Sequence, residues 1–330
     1  MEMILKRAMK HKRAVFFTFL AVTLVSIMVM LYSGVPDITI YKQEDSLMSK
    51  FQVFNSFSEE LKNKFIYDVL RAQSKLAVMG MLEYIESNNE PLSDVNETFT
   101  DLMFDATDPD GVLSPVMCNM KLSNYTDAIK ELSMSSMKIE TNITFISVFV
   151  NQSDPWHIDV YSDVSISTRR DDFFFSVNDT FSVSLPISGL KDPIYLFNDS
   201  VNIITPRMTY TEGWKARTPV WDRNSTWAML INRSYRHTSI SPSFLMRLAN
   251  NTNASDCCGI ESFVNASYGD FNRSYVDYLF FNNLTICSEL KVYNYTNISE
   301  SIEGMWFKLD EVHDALYNMT DWQDEIVCTP

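Results

Sequence analysis

The stretch AVFFTFLAVTLVSIMVMLYS, residues 14–33, is the one part of this 330-residue chain whose composition suits a membrane span. It contains no charged residue, and an α-helix needs about 20 apolar residues to cross the hydrocarbon core of a bilayer. Five basic residues and one acidic residue precede it, and such positive charge favours the cytoplasmic side. The sequence therefore predicts a single-pass protein of the cell membrane. Its parts are a cytoplasmic segment over 1–13, a transmembrane anchor over 14–34 that contacts the lipid bilayer through 14–33, and an extracellular remainder.

A cleaved secretory signal peptide is the alternative interpretation of the same stretch. The apolar part of such a peptide is shorter, about 7–15 residues, and it ends in small residues of the Ala-X-Ala type. Here the run ends in Leu31-Tyr32-Ser33-Gly34, and Pro36 follows. We therefore expect a retained signal-anchor.

Residues 35–90 are predicted to form a hinge and then a long amphipathic helix. Apolar residues recur every three or four positions from Leu47 to Ile85, and Ser58 fills the one polar gap. This period is typical of a helix with one buried face. Two surfaces could cover that face. One is the protein's own domain, and the other is a neighbouring copy of the helix, by self-association through residues 43–87. The Phe-rich stripe favours the intramolecular contact.

From about Lys138 the period of the apolar residues changes to two, which is typical of strands. Alternating segments cover much of 143–185, and the close spacing predicts an antiparallel meander or sandwich. Residues 91–330 are assigned to an extracellular, glycosylated domain. The predicted fold class is therefore α+β: an N-terminal transmembrane helix, a long amphipathic helix and an antiparallel β-rich, sandwich-like extracellular domain with short helices.

Asn-X-Ser/Thr triplets, the acceptors of N-linked glycans, are over-represented. Sixteen of the 24 asparagines lie in such triplets, whereas Ser and Thr make up about a sixth of the chain and chance predicts about four. All sixteen follow the apolar stretch, on the side that the charges assign to the exterior. The candidate glycosylation sites are Asn96, Asn124, Asn142, Asn151, Asn178, Asn198, Asn224, Asn232, Asn250, Asn253, Asn265, Asn272, Asn283, Asn294, Asn297 and Asn318.

The five cysteines also follow the apolar stretch, and an odd number leaves at least one thiol free or bonded between chains. We expect at least one disulfide to involve Cys257 or Cys258. A longer-range partner is favoured, because adjacent cysteines bond only through a strained ring. The disulfide candidates are Cys118, Cys257, Cys258, Cys287 and Cys328.

The net charge and the remaining motifs argue against several functions. The chain carries a formal net charge of −15, which disfavours nucleic acid as a partner. No Gly-X-Ser-X-Gly turn or phosphate-binding loop is present. His313 with Asp310 and Asp314 could hold a metal ion, but a solvated helix face explains them better, and His157 and His237 have no motif around them. We predict no catalytic, cofactor or metal site, and an enzyme is the minority hypothesis.

Several phrases of the chain carry a resemblance. They are Gln152–Trp156, Gly189–Pro193, Ser241–Leu248, Gly259–Ser262, Tyr275–Tyr278 and Phe307–His313. In this order they resemble uncharacterised archaeal pilin-like surface proteins, over most of residues 1–330. The basic segment ending in Arg13-Ala14 is similar to the signal of type IV pilins, although Phe19 stands where many pilins have glutamate. The resemblance implies cleavage after Ala14 and a place at the cell surface, and it implies no activity.

Two function classes follow. The first is a membrane-anchored surface protein with a structural, adhesive or pilin-like role. The alternative is an anchored extracellular enzyme or ligand-binding protein that uses the β-rich domain. A flat, glycan-covered surface would favour the first class, and a concave pocket with converging carboxylates would favour the second.

Overall fold

The computed structural model describes residues 23, 24, 27, 43–118, 120–206, 223–264, 272–282, 290–295 and 307–328. The chain divides into two compact units, Met1–Ser56 and Phe57–Pro330. The described residues form an α+β fold, and every strand pair in their sheets is antiparallel. The α+β and antiparallel parts of the predicted fold class are therefore confirmed.

The predicted N-terminal transmembrane helix is not supported and has to be corrected. Among the residues that the structure describes, no helix combines the length and the apolar character that crossing a membrane requires. The longest described helix, Ile66–Asn88, fails because it carries five charged side chains. Residues 14–34 lie outside the described part except for three positions, and residues 1–13 lie outside it entirely.

The long amphipathic segment consists of α1 (Gln43–Glu60), a π-helical turn (Leu61–Phe65) and α2 (Ile66–Asn88). The π turn adds one residue to the helical repeat and rotates the face that follows. The predicted stripe runs through Leu76 and Met79, but the structure buries Ala77 and Gly80 and leaves Met79 38% exposed. The polar gap also has an explanation, because Ser58 Oγ lies 2.8 Å from Thr168 Oγ1.

Three long strands form the main sheet, in the order β1 (Glu140–Asp154), β2 (His157–Arg170) and β3 (Phe173–Pro186). Burial alternates along each strand, as expected for a sheet with one covered face. Val150 pairs with Val160, which pairs with Val183, and all three side chains are buried. A bulge between Phe145 and Ser147 shifts the alternation in β1.

Helices cover the buried face of this sheet. They are α2, α3 (Val95–Asp105) and α4 (Leu122–Met137), and Asp94 caps α3 by accepting a hydrogen bond from Glu97 N at 3.0 Å. The other face is exposed over most of its length. The predicted sandwich is therefore replaced, within the described residues, by a helix-on-sheet arrangement.

Short elements follow the sheet: α5 (Pro193–Leu196), α6 (Arg223–Asn232), β4 (Arg236–His237), α7 (Phe244–Leu248), β5 (Ile260–Glu261), α8 (Asp277–Phe281), β6 (Val292–Tyr295), β7 (Phe307–Asp310), α9 (Glu311–Leu316), a 3₁₀ turn (Thr320–Trp322) and β8 (Glu325–Cys328). They form a two-stranded sheet, β4-β5, and a three-stranded sheet, β7-β6-β8. Aromatic side chains around Phe263 form a second apolar core there.

Candidate functional site

The first group of buried charges surrounds Arg247 in α7. Its Nη1 donates hydrogen bonds to Asp192 Oδ2 at 2.6 Å and to Asp277 Oδ2 at 2.9 Å, and the three side chains have 0% exposure. Nη2 donates to the Ile260 carbonyl oxygen, and Nε donates to that of Pro242 at 3.5 Å. We call Asp192, Arg247 and Asp277 the arginine cluster.

Helix starts hold both carboxylates in place. Asp192 caps α5: its Oδ1 accepts a hydrogen bond from Ile194 N at 3.0 Å, and its Oδ2 accepts one from Tyr235 OH at 2.8 Å. Asp277 begins α8, and its Oδ2 accepts hydrogen bonds from Ser262 N at 3.1 Å and Ser262 Oγ at 2.9 Å. Each carboxylate therefore has neutral donors besides the guanidinium, as a buried charge requires.

The arginine cluster has two acidic side chains for one basic side chain. Burial raises the pKa of Asp277 to about 6; Arg247 opposes this rise and Asp192 adds to it. Burial lowers the pKa of Arg247, but the two carboxylates more than compensate and leave that pKa above its ordinary value. The guanidinium therefore stays charged, and Asp277 is the group that takes up a proton on mild acidification.

The second group of buried charges surrounds His313 in α9. Its Nδ1 lies 2.8 Å from Asp310 Oδ2, and its Nε2 lies 3.3 Å from Glu261 Oε2. Tyr317 OH donates a hydrogen bond to Glu261 Oε1 at 2.6 Å, and the Tyr317 ring stacks on the imidazole. We call Glu261, Asp310 and His313 the histidine cluster. It is closed to solvent, since the His313 side chain is 2% exposed.

His313 is an imidazolium at neutral pH. Burial lowers its pKa, but Glu261 and the hydrogen bond to Asp310 raise the pKa of His313 to about 10 overall. Burial raises the pKa of Asp310, but His313 lowers it below its ordinary value. An imidazolium donates from both nitrogens and has no lone pair for a proton or a metal ion. In this state His313 donates towards the carboxylates of Asp310 and Glu261 and acts as the cation between them.

The two clusters are joined through Tyr278 and through Glu261-Ser262. Tyr278 follows Asp277 in the chain, and its OH lies 3.3 Å from His313 Nε2. Ser262 donates a hydrogen bond to Asp277 of the arginine cluster, and its neighbour Glu261 belongs to the histidine cluster. The segment that leads into Glu261 and Ser262 lies against the turn at residues 238–241, and it can do so because residue 259 is glycine: a Cβ there would collide with the backbone of that turn.

Five of the six phrases that carry the pilin-like resemblance supply these side chains. The phrases are Gly189–Pro193, Ser241–Leu248, Gly259–Ser262, Tyr275–Tyr278 and Phe307–His313. Segments more than 100 residues apart in the chain thus meet at one buried polar network. The charged side chains of Arg247, Asp277 and His313 are buried and face other protein atoms.

The histidines considered from the sequence have separate environments. Asp310 and His313 do meet, whereas Asp314 points elsewhere and accepts hydrogen bonds from Thr320 Oγ1 and Gln323 Nε2 at 2.9 and 2.7 Å. The described part of the chain contains no group of three His, Cys, Asp or Glu side chains that could hold a metal ion. His157 pairs with a neighbouring aspartate in the β1–β2 turn.

The candidate glycosylation sites are mostly on the surface. Side-chain exposure is described for twelve of the sixteen asparagines, and Asn224, Asn265, Asn283 and Asn297 lie outside that set. Eleven of the twelve are exposed, namely Asn96, Asn124, Asn142, Asn151, Asn178, Asn198, Asn232, Asn250, Asn253, Asn272 and Asn318. The sequence pattern therefore coincides mostly with surface positions. Two of these amides also bind the backbone: Asn96 Oδ1 accepts a hydrogen bond from Val150 N at 2.8 Å, and Asn198 Nδ2 donates one to the Ile194 carbonyl oxygen at 3.0 Å.

Asn294 is the exception. It lies in β6, the middle strand of its sheet, and is 3% exposed. Its Oδ1 is buried and has no hydrogen-bond partner among the described residues. A glycan on its amide nitrogen would have to separate the packed sheet, so Asn294 is the candidate least suited to modification.

The cysteines differ from the expected pattern of long-range pairing. Cys257 and Cys258 are bonded to each other, and their sulfurs lie 3.7 and 3.3 Å from the Gln152 carbonyl oxygen at the end of β1. Cys118 is an exposed free thiol. Cys287 and the side chain of Cys328 lie outside the described part of the chain.

No sequence motif identifies the buried ionic residues Arg247, Asp192, Asp277 and Glu261. A signal was present, because Arg247 stands between apolar neighbours in Phe244–Leu248. A charge inside an apolar segment indicates a buried ion pair. Its partners could not be identified, because they come from distant turns.

In comparisons with known proteins, no protein-family model, no curated protein and no solved structure matches the chain.

Proposed function

We propose that this chain is a glycosylated protein of the cell exterior with a structural or adhesive role. The observation that carries the proposal is the exposure of eleven of the twelve candidate asparagines whose side chains are described. Glycans attached there would cover the outer face of the main sheet and several turns with sugar. The resemblance to pilin-like surface proteins agrees with this location.

The buried clusters support a structural role over an enzymatic one. A catalytic group has to reach a substrate or a bound water, whereas Arg247, Asp277 and His313 are enclosed and fully engaged in ion pairs. Such networks hold distant turns in one arrangement. The alternative of an extracellular enzyme or ligand-binding protein has no comparable support in the described residues.

Self-association is a second element of the proposal, because the first turns of α1 present apolar side chains to solvent. Leu47 is 62% exposed and Met48 is 59% exposed. In α2, by contrast, the apolar face packs against the main sheet. The beginning of the segment 43–87 is therefore the part suited to contact a second copy of the chain, as in a filament.

The test of the proposed function begins with glycopeptide mass spectrometry on the full chain from a host that attaches N-linked glycans. We expect modification at several exposed sites and none at Asn294, which is a control within the same molecule. Labelling of intact cells with a membrane-impermeant reagent should reach the chain. If every described exposed asparagine is unmodified and intact cells give no label, the proposed function is wrong.

Self-association is tested by sedimentation of the full chain. The double variant Leu47→Glu, Met48→Glu should shift the distribution towards the monomer. Met134→Glu changes an exposed methionine on α4 and should have no effect. Identical sedimentation of all three proteins would remove self-association from the proposal.

A further inference from the structure

An exposed aromatic pair lies on the outer face of the main sheet. Phe149 in β1 and Tyr161 in β2 are paired across the strands, their ring centroids are 5.0 Å apart, and their planes differ by 14°. Phe149 is 45% exposed. The same face also presents Ile146 and Phe174, which are 63% and 68% exposed. Of these exposed apolar side chains, Phe149 is the one stacked on a ring of the neighbouring strand, which gives it a rigid apolar surface suited to a contact.

A candidate glycosylation site adjoins this pair. Beyond the bulge between Phe145 and Ser147, the side chains of Phe149 and Asn151 are both exposed on the outer face. Side chains two positions apart in a strand lie on one face, about 6.6 Å apart. The Asn151 amide is therefore close enough for a sugar attached to it to cover the Phe149 ring.

We propose that Asn151 carries an N-linked glycan whose first sugars pack against Phe149 and Tyr161. This inference rests on the proposed function and specifies the role of one site. The reaction needs a lipid-linked oligosaccharide as co-substrate. The Asn151 amide nitrogen bonds to the anomeric carbon of that sugar, the bond from this carbon to the lipid phosphate breaks, and the amide nitrogen loses one proton.

Because the glycan is bonded to Asn151, a weak contact with the aromatic pair is enough to order its first sugars. The faces of pyranose rings that carry C–H groups are apolar, and burying them against an aromatic ring removes apolar surface from water. A free sugar would lose translational and rotational freedom on binding. A sugar already bonded to Asn151 has a high effective concentration at the ring, so the aromatic pair can order a glycan that it would not capture from solution.

The same sheet face provides controls. Asn142 and Asn178 are exposed candidate sites on β1 and β3. The residues two positions before them are Glu140 and Ser176, which offer no aromatic ring. Glycans at these two sites should extend into solvent.

The experiment is a double-mutant cycle on the full chain produced with its glycans, with site occupancy measured by mass spectrometry. Phe149→Ala should lower the melting temperature by about 2 °C when Asn151 is glycosylated and by much less in the Asn151→Gln background. The matched cycle with Asn178→Gln should show no coupling to Phe149→Ala. Because Phe149 is half exposed, these variants should all fold.

A second measurement does not depend on stability. An endoglycosidase should release the Asn151 glycan more slowly than the Asn178 glycan, and Phe149→Ala should abolish the difference. Equal release rates together with zero coupling at an occupied Asn151 would overturn the inference and leave the proposed function intact. An unmodified Asn151 beside glycosylated Asn142 and Asn178 would also overturn the inference. The same holds if the aromatic pair proves to be a contact between two copies of the chain and Asn151 is unmodified. No modification at any site would overturn the inference and count against the proposed function as well.

Discussion

The helix-on-sheet region, the described residues of 61–186, and the carboxy-terminal region, the described residues of 187–328, are built on different principles. The first buries simple apolar stripes, such as Ile158, Val160, Val164 and Ile166 along β2. The second uses short elements whose turns converge on buried charges. Elements that bury one continuous stripe can be long and regular. Short elements bury less apolar area each, so directional polar contacts have to fix their arrangement.

The two regions should also differ in how well they tolerate substitutions. An apolar core accepts many substitutions of similar volume. Removing one member of a buried ionic network lowers the free energy of unfolding much more, because the remaining charges stay in an interior that solvates them poorly. We therefore expect the carboxy-terminal region to be the more sensitive of the two to single substitutions.

The largest expected effect is that of Arg247→Met. This change removes the cation between Asp192 and Asp277 and leaves two carboxylates buried at one place. We expect a loss of about 3–5 kcal/mol in the free energy of unfolding, measured by chemical denaturation. Arg169→Met, at an exposed arginine of β2, is the control and should change stability by about 0.5 kcal/mol at most. Equal effects of the two variants would contradict the importance of the arginine cluster.

The second prediction concerns the apolar region. Ile166 is fully buried in β2, and Ile166→Ala should cost about 3 kcal/mol through lost burial and the cavity left behind. Ile146→Ala provides the control because Ile146 is 63% exposed at the bulge of β1, and it should have little effect. A cost for Ile166→Ala that exceeds the cost of Arg247→Met would reverse the proposed order of sensitivity.

Much of the first region could be predicted from the sequence. The period of two located the strands, because pleated strands alternate their side chains between a covered and an open face. The period of three or four located the long helix, and the π turn then moved its buried face by one residue, which the pattern of apolar residues did not indicate. The transmembrane helix is the main correction, because no helix among the described residues has the length and apolar character to cross a membrane, and hydropathy with flanking charge is a signal of composition alone.

The candidate site could be predicted only in part. The triplet pattern identifies the glycosylation candidates, because that signal is local in sequence. It could not separate exposed Asn151 from buried Asn294, since the neighbours that bury Asn294 come from other strands. The ionic clusters were missed for the same reason: the partners of Arg247 lie 55 and 30 residues away.

The third prediction is that stability falls as the pH rises. The pKa of His313 is about 10 in the folded chain, and an unfolded histidine titrates near pH 6.5. The folded state therefore holds a proton that the unfolded state releases, and this contribution is complete below about pH 6.5 and is lost towards pH 10. The raised pKa of Asp277, about 6, acts in the same direction between about pH 4 and 6.

Chemical denaturation at pH 6.5, 8 and 9.5 measures this effect. The free energy of unfolding should fall by at least about 1.4 kcal/mol, the equivalent of one pKa unit. His313→Gln should remove most of this dependence of the free energy of unfolding on pH, because Glu261, Asp310, Tyr278 and Tyr317 would then face a neutral group. His157→Gln, at an exposed histidine, should leave the pH dependence unchanged. A rise in stability with pH in the unmodified chain would contradict the assignment of His313 as a buried imidazolium.

The smallest expected effect is that of breaking the bond between Cys257 and Cys258. A disulfide stabilises a fold mainly by restricting the unfolded chain, and this restriction grows with the length of the closed loop. Adjacent cysteines close almost no loop, so Cys257→Ser should lower the free energy of unfolding by less than about 1 kcal/mol, against the 2–5 kcal/mol typical of structural disulfides. Cys257 is exposed, so the serine hydroxyl remains in water, and Cys118→Ser at the free thiol is the matched control. A loss above about 2 kcal/mol would show that the contact of this sulfur pair with Gln152 at the end of β1 joins the two regions more strongly than chain entropy predicts.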